Sequence, residues 1–312
     1  MKNDADPPIL ITGAGGLLGY ALCRAASTCG PVVGIYHEHK PPCKKGHWIQ
    51  MDLTDHKALI RWIETIRPGG IIHAAAVSQT GRCQDRPEET EPINVAVPGR
   101  LAGICADLDI PMVFTSTDLV FDGRQPPYNE ASPPRPVNVY GEQKARAEQR
   151  VLHRWPKALV CRMPLMVGAA PNVVNNFTLQ MIAAIADGRQ VSLFTDEYRT
   201  PVDIWSAARG LFQFLGRRHG LLHLGGHTRI SRLEIGIRIA RCLGVDPFMI
   251  QSVSIDELPD AETRARDCSL DSRRAFSLGY APAALDQGLQ RTIDQWQRIR
   301  PESQKPEKQK ID

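Results

Sequence analysis

Apolar residues in the first half of the chain come in short runs. Each run is closed by glycine or polar residues and followed by a stretch of helical composition. The runs at residues 8–12, 32–36, 48–51, 71–75 and 112–116 predict strands, and the stretches 17–29, 55–66 and 93–107 predict helices. Gly30 suits the end of the first helix. Thr54 or Asp55 can cap the second, and Pro68 stops it. Residues 122–138 form a loop rich in Pro, Asn and Gly, a long helix begins near Val139, and residues 158–162 predict a sixth strand. Beyond Pro164 the rhythm changes. A helix over 176–187, an extended segment over 190–194, a helix over 203–215 capped by Asp203, a strand over 220–224 and a helix over 231–243 follow. No internal repeat is visible.

Strictly alternating strands and helices predict an α/β fold, a doubly wound parallel sheet of Rossmann type. The loop after the first strand fits it. Gly13, Gly16 and Gly19 are spaced G-x-x-G-x-x-G within 12–19, T-G-A-G-G-L-L-G, between a strand and a helix. The first glycine permits a tight turn, the second a close approach of backbone to a pyrophosphate, and the third close packing of helix on sheet. The helix N-terminus then offers N–H donors to phosphate, so Gly13, Gly15, Gly16, Leu17, Leu18 and Gly19 are the expected cofactor loop. An acid that closes the second strand would favour NAD(H). Here that strand runs into His37, Glu38, His39 and Lys40. His37, His39 and Lys40 suit a 2′-phosphate, so NADP(H) is favoured, with NAD(H) as the alternative.

Tyr140 and Lys144 stand at i and i+4, on one helical face. A free phenol titrates at about 10. A neighbouring ammonium favours the phenolate and lowers that value, which fits a proton donor to an alkoxide. Lys144 can also hold the nicotinamide ribose. Thr117, at the end of the fifth strand, can polarise a carbonyl, with Ser116 and Thr115 as competitors. The expected organisation is a dinucleotide-binding domain over 1–165, to which 203–226 returns, and a smaller substrate-binding subdomain over 166–300. A disordered Lys-, Glu-, Gln- and Pro-rich tail covers 301–312.

Composition narrows the setting. The 312 residues carry a net charge of +4, which demands neither nucleic acid nor an anionic membrane as partner. No apolar run is long enough to span a bilayer, and the polar residues 1–8 do not read as a signal peptide. The 8 cysteines are scattered without a C-x-x-C pair. That argues for reduced thiols in the cytoplasm and against a disulfide framework or a structural metal. A homodimer is left open.

Residues 12–19, then 73–76 (H-A-A-A), 93–95 (I-N-V), 116–123 (S-T-D-L-V-F-D-G), 127–130 (P-Y-N-E) and 138–144 (N-V-Y-G-E-Q-K) form an ordered set of motifs. It resembles the dTDP-4-dehydrorhamnose reductase branch of the extended short-chain dehydrogenase/reductases. The likeness reaches 175–177 (N-N-F), 196–201 (D-E-Y-R-T-P) and 267–270 (D-C-S-L), and so covers the chain to about residue 293. The resemblance implies a catalytic Thr117, Tyr140 and Lys144. It implies that Asp52 and Leu53 lie near the adenine, and that Ala74, Ala75 and Ala76 let the cofactor lie against the fourth strand. It further implies that Asn94 supports the active-site backbone, that Pro164 flanks the nicotinamide, that Asn176 belongs to the substrate side, and that Arg199 faces the substrate's phosphates.

Two departures bear on the substrate. Leu119 replaces the tyrosine of the family's S-T-D-Y-V-F, and residues 162–168 read R-M-P-L-M-V-G where the family often has R-T-x-W-V-Y-G. Leu119, Leu165 and Val167 are therefore expected to line a less aromatic pocket. The resemblance implies an NADPH-dependent reductase of a 4-keto nucleotide sugar. The alternatives are a reductase of another small carbonyl compound, and a non-catalytic NADP-binding partner protein like the regulatory subunit of methionine adenosyltransferase.

Overall fold

The computed structural model describes residues 6–26, 30–171, 173 and 176–300. The expected end of the first helix at 29, Asn175 and the tail over 301–312 lie outside them. Seven parallel strands form the main sheet: β1 (Ile9–Thr12), β2 (Val32–Tyr36), β3 (His47–Gln50), β4 (Gly70–His73), β5 (Met112–Thr117), β6 (Leu159–Met163) and β7 (Gly220–His223). Their spatial order is β7-β6-β5-β4-β1-β2-β3. The order reverses between β1 and β4, where Thr12 pairs with His73. A crevice outside the carboxyl ends at such a switch point is where α/β sheets bind ligands.

The helices over this sheet are α1 (Leu17–Ala26), α2 (His56–Ile66), α3 (Val97–Leu108) and α4 (Val139–Arg154), joined later by α6 (Ile204–Phe214). Alternate strand residues bury against opposite faces. Ile11, Val113 and Cys161 join α1 and α6 in one core. Leu10, Phe114 and Val160 join α2, α3 and α4 in another. Asp55 caps α2 by accepting from the Ala58 N–H. The helix expected over 93–107 starts only at Val97, because residues 92–96 form a π-helical turn led by Pro92.

After β6 the chain leaves the sheet and builds a smaller layer from α5 (Phe177–Ala186), α7 (Arg232–Leu243) and α8 (Leu285–Ile299). Their inward faces close on a third core that contains Ile182, Ile235, Ile239, Leu289 and Trp296. Ser231 and Glu234 cap α7 reciprocally. Helix α8 was not anticipated from the sequence, although Leu285, Leu289, Ile293 and Trp296 recur at helical spacing and are buried.

Candidate active site

The glycine loop is shaped by what touches it. Gly13 has a φ of 72°, and a Cβ there would lie 2.7 Å from the Ala75 backbone. A Cβ at Gly15 would collide with the carbonyl oxygen of His39. The loop over 37–40 thus rests directly on the glycine loop. Gly16 is exposed, and its Cβ would meet only the Gly13 carbonyl, at 3.4 Å. This opening stands at the N-terminus of α1, which has no acidic residue in its first turn. It is a cradle that fits a pyrophosphate. Gly19 lets the helix pack closely: its Cβ would strike the Gly13 carbonyl, just past the end of β1. Leu17 is half-buried, and Leu18 points into the core.

His37, His39 and Lys40 are exposed. Glu38 lies 3.5 Å from His37 Nδ1 and 4.0 Å from His39 Nδ1, so the one acid of the loop is shared between two imidazoles. Asp52 accepts from the Thr54 hydroxyl and N–H at 2.7 and 2.8 Å, which holds its carboxyl below the usual range. The side chain of Leu53 is a core residue. Ala74, Ala75 and Ala76 follow β4, half-buried. Below them the buried His73 ring lies 2.6 Å from the Thr12 hydroxyl and stacks on Phe114.

Helix α4 brings the proposed chemistry to the end of β5. Asn138 caps it by accepting from the Gly141 N–H at 2.8 Å. Gly141 is required there, because a Cβ would collide with the Leu119 carbonyl oxygen. Tyr140 and Lys144 therefore face the residues around Thr117, and all three are buried. Lys144 Nζ donates to the Thr115 carbonyl at 2.6 Å and lies 4.0 Å above the Phe114 ring. Burial pushes this ammonium down to about 7, opposed by Glu148. The expected lowering of the Tyr140 phenol is reversed: burial, then Cys83 and Asp118, push it up. Each candidate hydroxyl has its own environment. Thr115 donates to the His73 carbonyl and Thr117 to Asp118 Oδ1, whereas the buried Ser116 Oγ has no hydrogen-bond partner.

The substrate-side residues part company. Arg199 is 4% exposed and does not face open space. Its Nε lies 3.4 Å from Asp118 and its Nη2 3.2 Å from Glu197, while Nη1 donates to the Tyr198 carbonyl at 2.7 Å. Five donors in a buried site demand such partners. Arg232 also pairs with Glu197, stacks over the exposed ring of Phe177 at 4.5 Å, and keeps a buried Nη1 without a partner. Asn176 caps α5 by accepting from the Thr178 and Leu179 N–H groups. Val167 points into the core with no exposure, which corrects its place in a pocket lining. Leu119 and Leu165 are half-buried against core clusters. Pro164 is buried at the end of β6. A groove of about 620 Å³ lined by Thr200, Arg229 and Asp267 lies elsewhere, and none of Thr117, Tyr140 and Lys144 lines it.

The resemblance named Asn94 as a support of the site, but sequence reasoning missed the partners through which it acts. Asn94 binds the Val77 backbone in both directions and donates to Gln143 Oε1 at 2.7 Å, and Gln143 donates to the Thr90 hydroxyl. This ties the loop after β4 to α4. Glu148 and Arg162 form a buried pair behind Lys144. Only the i+4 spacing of Glu148 from Lys144 could have hinted at it.

Comparisons with known proteins find relatives over nearly the whole chain. The RmlD substrate binding domain family profile matches residues 7–298. The probable low-salt glycan biosynthesis reductase Agl14 of Haloferax volcanii is 30% identical over 89% of this chain and 95% of its own length. The dTDP-4-dehydrorhamnose reductase of Mycolicibacterium smegmatis is 29% identical over 88% and 81%. Methionine adenosyltransferase 2 subunit beta of Xenopus laevis matches at 27%, over 86% and 82%. The crystal structure of a hypothetical dTDP-4-dehydrorhamnose reductase from Sulfolobus tokodaii superposes with a TM-score of 0.79 at 29% identity, covering 90% of this chain and 98% of that one.

Proposed function

The chain belongs to the RmlD substrate binding domain family of extended short-chain dehydrogenase/reductases, and from that premise we propose that it is an NADPH-dependent reductase of a 4-keto nucleotide sugar such as dTDP-4-dehydrorhamnose. One observation carries the reading: a single helix sets Tyr140 and Lys144 against the end of β5, on a sheet whose first loop forms an open anion cradle at Gly16.

The reduced dinucleotide, when bound, supplies hydride to the keto carbon. Every other part belongs to the chain. The glycine loop and the α1 N-terminus take the pyrophosphate, and His37, His39 and Lys40 suit a 2′-phosphate. The Tyr140 phenol is kept protonated by burial, so it can donate a proton to the developing alkoxide. The phenolate left behind is stabilised by the Lys144 ammonium. Thr117 or Ser116 orients the carbonyl, and the buried Ser116 Oγ has no hydrogen-bond partner of its own. The Asn94–Gln143–Thr90 network holds α4 in register. The seven free thiols among the described residues suit a cytosolic setting.

The test is a thermal-shift screen of nucleotide sugars in the presence of NADPH, followed by an assay of NADPH oxidation with each sugar that stabilises the protein. Consumption of NADPH with a 4-keto nucleotide sugar is the expected result. Tight NADPH binding without turnover of any sugar would move the reading to a binding protein.

A further inference from the structure

Helix α4 carries a buried charged stripe that the proton chemistry uses only in part. Tyr140, Lys144 and Glu148 follow one another at intervals of four on one helical face, and all three are buried. Glu148 lies one turn beyond Lys144. Arg162 of β6 binds its carboxylate at both oxygens, with Nε donating to Oε1 at 3.0 Å and Nη2 to Oε2 at 2.7 Å. Arg162 is 1% exposed and Glu148 3%. His223 of β7 stands 3.5 Å from Arg162 Nη1, and burial and Arg162 push it down to about 3. The pair is therefore a fixed dipole inside the protein, with its negative end on α4.

Stability alone does not require this pair. Apolar side chains of similar volume in place of a buried ion pair are often neutral or stabilising. An apolar pair could not act on Lys144, however. Burial lowers that ammonium toward neutrality, and Glu148 opposes the fall. The other groups that face Lys144 supply no full negative charge. Phe114 offers a ring face and Thr115 a carbonyl oxygen. His73 of β4 is neutral, pushed down to about 3 by burial and by Lys144 itself, and Tyr140 is a protonated phenol.

We infer that Glu148 is a positioning residue: held in place by Arg162, its carboxylate keeps Lys144 charged at neutral pH and so sets the upper pH limit of carbonyl reduction. The inference rests on the roles proposed above for Tyr140 and Lys144, but its first test does not use turnover.

With lysine labelled by 13C at Cε, the Lys144 signal is identified by its loss in Lys144→Met, and its titration is followed by NMR in cofactor-free protein. Glu148→Gln removes the negative end and leaves Arg162, so the Lys144 midpoint should fall by about one pH unit or more. Glu148→Asp keeps the charge on a shorter side chain, so the midpoint should stay closer to the wild-type value. Glu148→Gln preserves shape better than Glu148→Asp does, so a purely structural role gives the reverse order. The basic limb of the kcat/KM profile should follow: Glu148→Gln loses activity above neutrality and regains it at lower pH, whereas Glu148→Asp keeps most of it. Should Glu148→Gln fail to fold with Arg162 left unpaired, Glu148→Gln combined with Arg162→Met gives a neutral pair that a folded core tolerates, and a Lys144 midpoint that stays or rises in it overturns the inference. An unchanged midpoint in Glu148→Gln, or a larger fall in Glu148→Asp than in Glu148→Gln, also overturns it. The expected midpoints in a protein that turns over no sugar would overturn the reductase reading and leave the support of Lys144 by Glu148 standing.

Discussion

Two buried cations flank Thr117 and Asp118, and they are held in opposite ways. Lys144, before Pro164, has a carbonyl oxygen and a ring face for partners, and among the described residues no carboxylate forms an ion pair with it. Arg199, after Pro164, is enclosed by Asp118, Glu197 and backbone carbonyls. An ammonium with so little compensation stands close to losing its proton at neutral pH, whereas a guanidinium never does in a protein. The sheet side of the site therefore holds a charge that can change. The later layer holds charges that cannot, and these lock segments together.

The largest test of that contrast is at the phenol. Tyr140→Phe removes one hydroxyl and keeps the ring, so folding and NADPH binding should persist. Turnover should drop by about 10²–10⁴-fold, the usual worth of general acid–base catalysis. Wild-type turnover in this variant would remove the changeable-charge side of the comparison altogether.

Stability separates the two cations next. Arg199→Met leaves Asp118 and Glu197 buried without their shared partner, and should lower unfolding stability by about 3–5 kcal/mol. Arg199→Met combined with Asp118→Asn should recover part of that loss. Lys144→Met removes a charge that burial already disfavours, so denaturation should show little loss or a gain, while NADPH affinity falls. Equal losses in denaturant melts of the two single variants would erase the distinction.

What could be read from the chain divides along the same line. The strands, α2 with its Asp55 cap, and the glycine loop were legible because local spacing determines them. The contacts that shape the site were not. Gly15 against His39, Gly141 against Leu119, and Glu148 against Arg162 join residues far apart in the chain, and nothing local marks them. Val167 was misread because the chain beyond β6 pairs with Val202–Asp203 in a short two-stranded ladder and turns that side chain into the core. The phenol was misjudged because i+4 spacing predicts a shared face but not burial, and burial dominates its shift.

Asn176 offers a smaller test on the later side. Its Oδ1 accepts from two N–H groups at the start of α5, at 2.8 and 3.3 Å. Asn176→Ala should cost about 1 kcal/mol in a denaturant melt, and Asn176→Asp should not, since Asn and Asp both cap well. If instead KM for the sugar rises with no change in stability, Asn176 is a substrate contact.

The smallest effect belongs to a third kind of charge, exposed and unenclosed. Lys40 follows His39, whose carbonyl rests on Gly15, so backbone contact helps fix the loop beside the pyrophosphate cradle. Lys40 lies in solvent, where an ion pair contributes about 0.2–1 kcal/mol. Lys40→Ala should therefore weaken NADPH by about fivefold at most, and leave NADH unchanged because NADH has no 2′-phosphate. The difference should shrink as salt rises, since exposed charges are screened over about 8 Å at physiological ionic strength. Neither Tyr140→Phe nor Arg199→Met should show that salt dependence, because their groups are buried. Calorimetric titration of both nucleotides at low and high salt gives the answer. Equal weakening of NADPH and NADH would place Lys40 on a part of the dinucleotide common to both, and a wild-type preference for NADH would remove the 2′-phosphate from the argument entirely.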